Sequence, residues 1–156
     1  MVEGLKVGVI GGSGLYAIDA LQDVREVTLS TPFGAPSDAY VCGRLGDVEI
    51  VFLPRHGRGH RISPTEISCR ANIWGMKRLG VSRILSVSAV GSMREEIAPG
   101  DFVVIDQFID RTRHRVDTFF GDGIVAHVMF ADPVCHELRS ALLAAADRLA
   151  VKAHDG

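Results

Sequence analysis

Arg55, His56, Arg58, His60 and Arg61 fall within seven consecutive positions of the run LPRHGRGHRISP, residues 53–64. So many cations and N–H donors, placed directly after the apolar run VEIVF, suit the holding of an anion. Open α/β sheets bind ligands beyond the carboxyl ends of their strands, which singles out Arg55 and His56. An arginine at that position can grip a phosphate through two parallel hydrogen bonds, a geometry that lysine does not offer. For Arg58 and Arg61, deeper in the loop, charges facing water are the simpler reading. His56 and His60 have an i, i+4 spacing that would serve a metal only on a helix. Pro54, Gly57 and Gly59 oppose a helix there, and no carboxylate or cysteine joins the pair. No metal site is expected.

Two further stretches place donors where strands end. Residues 12–17, GSGLYA, follow the apolar run LKVGVI and match the dinucleotide pattern GxGxxA. Glycines there let backbone N–H groups approach an anion, and Ser13 adds a hydroxyl; a plain tight turn fits equally. An NAD-binding unit would want a longer helix and a second strand ending in an acidic residue. Here the helix candidate LYAIDAL is short and the second strand runs into STPFGAPSD, so a dinucleotide-binding protein ranks low among the readings. In SVSAVGSM, residues 86–93, the side chains shrink just as a strand leaves the sheet. This either admits a flat ligand or oxyanion, with Ser88 as donor, or allows close strand–helix packing. One phosphate held jointly by Ser13, Arg55, His56 and Ser88 would explain all three stretches.

The elements that must position these residues alternate between strand and helix. LKVGVI, REVTLS and AYVCGRLGDVEIVFLP read as strands, the last with a hairpin at Gly46-Asp47. From Ser63 to Gly80 the sequence predicts a helix, with Ser63 as N-cap, Pro64 at its first position, Glu66 completing a capping box and Gly80 as terminator. RILSVSAV and GDFVVIDQFI follow as strands, and a final helix is expected from about Pro133 to Val151. The expected fold is α/β, a mixed central sheet flanked by helices, in a single domain over residues 1–156. Residues 109–131 are long, polar and aperiodic, as functional or interfacial loops are. The chain then closes on VKAHDG, directly after a helix, where such a fold would lead into its next strand.

Composition narrows the function. The chain has 156 residues, is 47% hydrophobic and 23% charged, carries net charge −2 and has a pI near 6.3. That balance gives no support to nucleic-acid or membrane-surface binding, so an anion site must be local. Cys42, Cys69 and Cys135 form no CxxC pair, which argues against a disulfide or zinc framework and for a reducing compartment. The N-terminus does not read as a signal peptide, and no apolar run reaches membrane-spanning length. A cytoplasmic location is expected.

VGVIGGSGLY, TPFGAPSD, PRHGRGH, RANIWGMKRLGV and SAVGSMREEIAPGDFVVIDQFIDRT together resemble the methylthioadenosine phosphorylase branch of the purine nucleoside phosphorylases. The likeness runs along essentially the whole chain, in the family's order. It implies phosphorolysis, in which inorganic phosphate attacks C1′ of a purine nucleoside and releases free base and a ribose 1-phosphate. It also implies that Ser13, Arg55, His56 and Ser88 hold phosphate, and that Ala89 lies beside ribose and base. By the same likeness His127 reaches the 5′-substituent pocket of a neighbouring subunit in a trimer. No metal or organic cofactor is implied; phosphate is a co-substrate. Ser68-Cys69 departs from the Asn-Tyr pair common in the family. The family's chain is also nearly twice as long. Its remainder supplies the acid that protonates the purine, a Met-Glu-Gly-Pro-like ribose segment and another phosphate-binding hydroxyl. The likeness thus implies a truncated sequence, carrying the phosphate half of the site while the catalytic acid lies outside it. A second polypeptide completing the site, and a non-catalytic phosphate- or nucleoside-binding fragment, are the alternatives.

Overall fold

A computed structural model describes residues 4–12 and 20–156. The helix candidate LYAIDAL falls largely outside those residues. The chain divides into two compact units, Met1–Ala89 with Arg115–Phe119, and Val90–His114 with Phe120–Gly156.

The first unit is built on a five-stranded sheet. Its strands are β1 (Lys6–Gly11), β2 (Gln22–Val27), β3 (Tyr40–Leu45), β4 (Val48–Pro54) and β5 (Arg83–Ser86), in the order β2-β3-β4-β1-β5. β1 runs parallel to β4 and β5, while β3 is antiparallel to β4 and to β2. The sheet is therefore mixed, as the sequence predicts. The hairpin turns at Gly46 and Asp47, with Leu45 opposite Val48 and Gly46 at φ 59°. β4 occupies the centre, and Ile50 to Pro54 are all buried, matching its unbroken apolar run. Ile10, Tyr40, Cys42, Val51, Leu53, Met76 and Val81 form the core cluster. Helix α1 (Cys69–Arg78) lies so close to β1 that a β-carbon on Gly8 would stand 3.0 Å from Met76 Sδ.

α1 is shorter than its sequence signature. Glu66 Oε2 does accept from Ser63 N at 3.0 Å, as in a capping box. The Ser63 hydroxyl, however, donates to the same oxygen at 2.6 Å rather than accepting from the Glu66 amide. That amide bonds instead to Ser63 O at 3.0 Å, so the motif closes one isolated turn. Thr65, Ile67 and Ser68 are weak helix formers, and the helix starts only at Cys69. Its end matches expectation. Gly80, at φ 84°, donates to Lys77 O, and Val81 to Met76 O, forming a Schellman termination.

The second unit holds β6 (Phe102–Val104), α2 (His136–Arg148) and β7 (Ala153–Asp155), with β6 and β7 parallel. The sequence suggests no strand after the final helix, whereas residues 153–155 of VKAHDG form β7. Asp101 ties this pair together, accepting from Lys152 Nζ at 2.6 Å and His154 Nε2 at 2.8 Å. Among the described residues no helix is long and apolar enough to cross a membrane.

Candidate anion site at the strand ends

Because β4, β1 and β5 are parallel neighbours, their carboxyl ends lie side by side. The ladder continues one residue past each end: Arg55 N donates to Gly11 O, and Val87 N to Ile10 O, both at 2.9 Å. Gly12, Arg55 and Val87-Ser88 thus leave the sheet together. Arg55 bridges them. Its Nη1 donates to Ser88 Oγ at 2.5 Å and to Val87 O at 3.3 Å. Its Nη2 approaches the first strand end, where a β-carbon on Gly12 would lie 4.0 Å away.

His56 is buried beside this guanidinium. Its Nδ1 lies 2.8 Å from Ile62 O, and Arg55 Nε donates to its Nε2 at 3.1 Å. A carbonyl can only accept, so the ring proton sits on Nδ1 and Nε2 is an acceptor turned towards Arg55. His60 stacks on the same imidazole, with centroids 4.4 Å apart and planes 19° from parallel. The arrangement is a cationic corner at a sheet's carboxyl edge, suited to an oxyanion.

Of the residues the sequence singled out, the fold brings Arg55, His56 and Ser88 together. Ser13 lies outside the described residues. Ala89 follows Ser88 and is exposed, and His127 is exposed in the second unit. Arg58 and Arg61 are engaged elsewhere. Arg58 Nη1 pairs with Glu26 Oε1 at 2.8 Å, and Arg61 Nη2 donates to Ser37 O at 3.0 Å. Both residues are exposed, as the sequence suggests, yet both are partnered.

A family model described as the Phosphorylase superfamily matches residues 6–156. The chain belongs to that superfamily. It is 64% identical over 151 residues to the S-methyl-5'-thioadenosine phosphorylase of Geobacter sulfurreducens, covering 96% of this chain and 53% of that one. To the enzyme of that name from Hyperthermus butylicus it is 53% identical over 148 residues, covering 95% and 54%. Among solved structures, a methylthioadenosine phosphorylase from an antarctic soil metagenomic library superposes with a TM-score of 0.92 at 50% identity, covering 97% of this chain and 54% of that one. The Schistosoma mansoni methylthioadenosine phosphorylase in complex with adenine gives 0.87 at 45% identity, covering 93% and 54%. The chain spans about half the length of the curated relatives it matches.

This phosphorylase-superfamily chain also uses residues that the sequence did not flag. Asp38 Oδ2 accepts from the Arg58 backbone N–H at 2.7 Å. Ser37 and Asn72, both buried, bond reciprocally: Ser37 N to Asn72 Oδ1 at 2.8 Å, and Asn72 Nδ2 to Ser37 Oγ at 2.9 Å. Burial alone would raise the Asp38 pKa. The amides of Arg58 and Ala39 and the charges of Arg58 and Arg61 outweigh it and hold the carboxyl below its usual range. The available signal was the segment TPFGAPSD, which carries no periodicity and showed itself only through family likeness.

Proposed function

We propose that this chain supplies the phosphate-binding half of a purine nucleoside phosphorylase site acting on 5′-methylthioadenosine or a close relative. The products are free purine and (5-methylthio)ribose 1-phosphate. The Arg55 guanidinium carries the reading, because one side chain bonds at the ends of β4 and β5 and faces the end of β1. Cleaving an N-glycosidic bond passes through an oxocarbenium-like state, so an anion beneath C1′ stabilises the charge and then becomes the nucleophile. The protein's task is then to hold phosphate in line, which pre-organised donors do well. Arg55 and Ser88 would bind its oxygens, with Ser13 completing the cradle from the loop after β1, and His56 would fix the arginine. Ala89, next along the chain, would face the ribose and base. His127 would reach a neighbouring copy in a trimer. The reaction needs no organic cofactor or metal.

The acid that protonates the purine would come from the remaining half of the family's chain, on this polypeptide or on a second one. A second reading is a phosphate- or nucleoside-binding chain without turnover. Native mass spectrometry followed by a nucleoside panel separates the two. Base release that requires added phosphate supports the phosphorylase, whereas phosphate binding without release supports the second reading. A cytoplasmic setting agrees with three free cysteines, of which Cys69 and Cys135 are exposed.

A further inference from the structure

The loop that carries Arg55 and His56 has little regular structure to hold it. Gly57, Gly59 and His60 all sit at positive φ, and no helix or strand runs through residues 55–62. It is braced from outside at Arg58, whose backbone N–H donates to Asp38 Oδ2. Asp38 is fixed in turn, since the preceding Ser37 is locked to buried Asn72 of α1. The brace is tight, for a β-carbon on Gly57 would stand 3.1 Å from Ser37 O.

Given the phosphate reading above, we infer that Asp38 is a positioning residue for the anion site. It fixes the Arg58 backbone, and through it the Arg55–His56 pair, without itself touching phosphate. A carboxylate here has two opposed effects on a bound anion. Its charge repels phosphate, an effect damped by Arg58 and Arg61, each with a nitrogen 3.9 Å from its oxygens. Its acceptor oxygen orders the loop. The sign of a substitution's effect tells which dominates.

Calorimetric titration with inorganic phosphate reads that sign. Asp38→Ala removes acceptor and charge together, and is expected to weaken phosphate binding about tenfold or more. Asp38→Asn keeps an acceptor oxygen and is expected to stay within about twofold of the parent. Asp38→Glu keeps the charge but displaces the acceptor, and is expected to weaken binding like the alanine variant. The His56 Nδ1–H resonance, bonded to Ile62 O, should shift in the Ala and Glu variants and stay in place in the Asn variant. General destabilisation would not produce that pattern. Tighter binding in Ala and Asn with no change in Glu would overturn the inference, leaving Asp38 a mere charge. Should the alanine variant not fold, Asn against Glu decides alone. Arg55→Ala in the same titration separates the two levels. If it loses phosphate while Asp38→Glu does not, the positioning role alone is wrong. If the parent binds no phosphate, or Arg55→Ala binds it unchanged, the phosphate reading itself is wrong.

Discussion

At the scale of single residues, position relative to a strand end decides the role of a cation. Arg55 is the residue immediately after β4, and its guanidinium is held by His56, Val87 and Ser88. Arg58, three residues on, spends its charge on Glu26 and Asp38. Arg58→Ala is therefore expected to change phosphate affinity little and to cost at most about 1 kcal/mol of stability, as exposed ion pairs do, measurable by urea titration. Its backbone N–H, which meets Asp38, survives the substitution. Arg55 was legible in the sequence because a buried apolar run ending in a cation is visible there. The His56 tautomer was not, because it depends on the Ile62 carbonyl, brought round by left-handed turns at Gly57, Gly59 and His60. Asp38 was hidden for a similar reason. It lies 20 residues from Arg58 in sequence, and only the fold makes them neighbours.

At the scale of elements, β3 and α1 meet through one tight contact. The Tyr40 hydroxyl donates to Asn72 O at 3.0 Å beneath the helix, and burial lifts its pKa to about 12. A β-carbon on Gly75 would overlap that hydroxyl oxygen. Gly75→Ala is expected to destabilise the protein by about 1–3 kcal/mol through overpacking. Adding Tyr40→Phe should recover part of that loss, a non-additivity that a double-mutant cycle in urea would expose. Full additivity would mean the two residues do not meet. Strand runs and the Gly80 stop were legible because alternation, apolar length and glycine termination are local signals. The start of α1 was not, because a Ser63–Glu66 contact signals a helix whether or not the chain continues one. β7 was missed because three residues, Ala-His-Asp, become a strand only by pairing with β6 about 50 positions earlier.

At the scale of the whole molecule, charge and exposed apolar surface govern behaviour. Asp101 links β6 to β7, and hydrogen bonds from Lys152 and then His154 depress its pKa to about 2. A depressed carboxylate stabilises the fold above its unfolded pKa, about 3.9, and loses that contribution as pH falls towards the folded value. Stability of the parent and of Asp101→Asn should therefore differ above about pH 4 and converge as pH falls to about 2, followed by urea unfolding at each pH. The second unit also exposes Ile109, Val125, Val128 and Met129, from 80% for Val125 to 90% for Met129. On the trimer reading proposed above, these side chains meet a neighbouring copy, and native mass spectra are expected to show more than one chain of 16.8 kDa. A lone monomer across micromolar concentrations would contradict that. Calorimetry of the protein against Arg55→Ala measures directly whether the corner made by Arg55, His56 and Ser88 holds inorganic phosphate. One phosphate per chain, weakened by about 2–4 kcal/mol in the variant, is the expected result for a charge-assisted, partly buried ligand. Equal affinity in both proteins would contradict it.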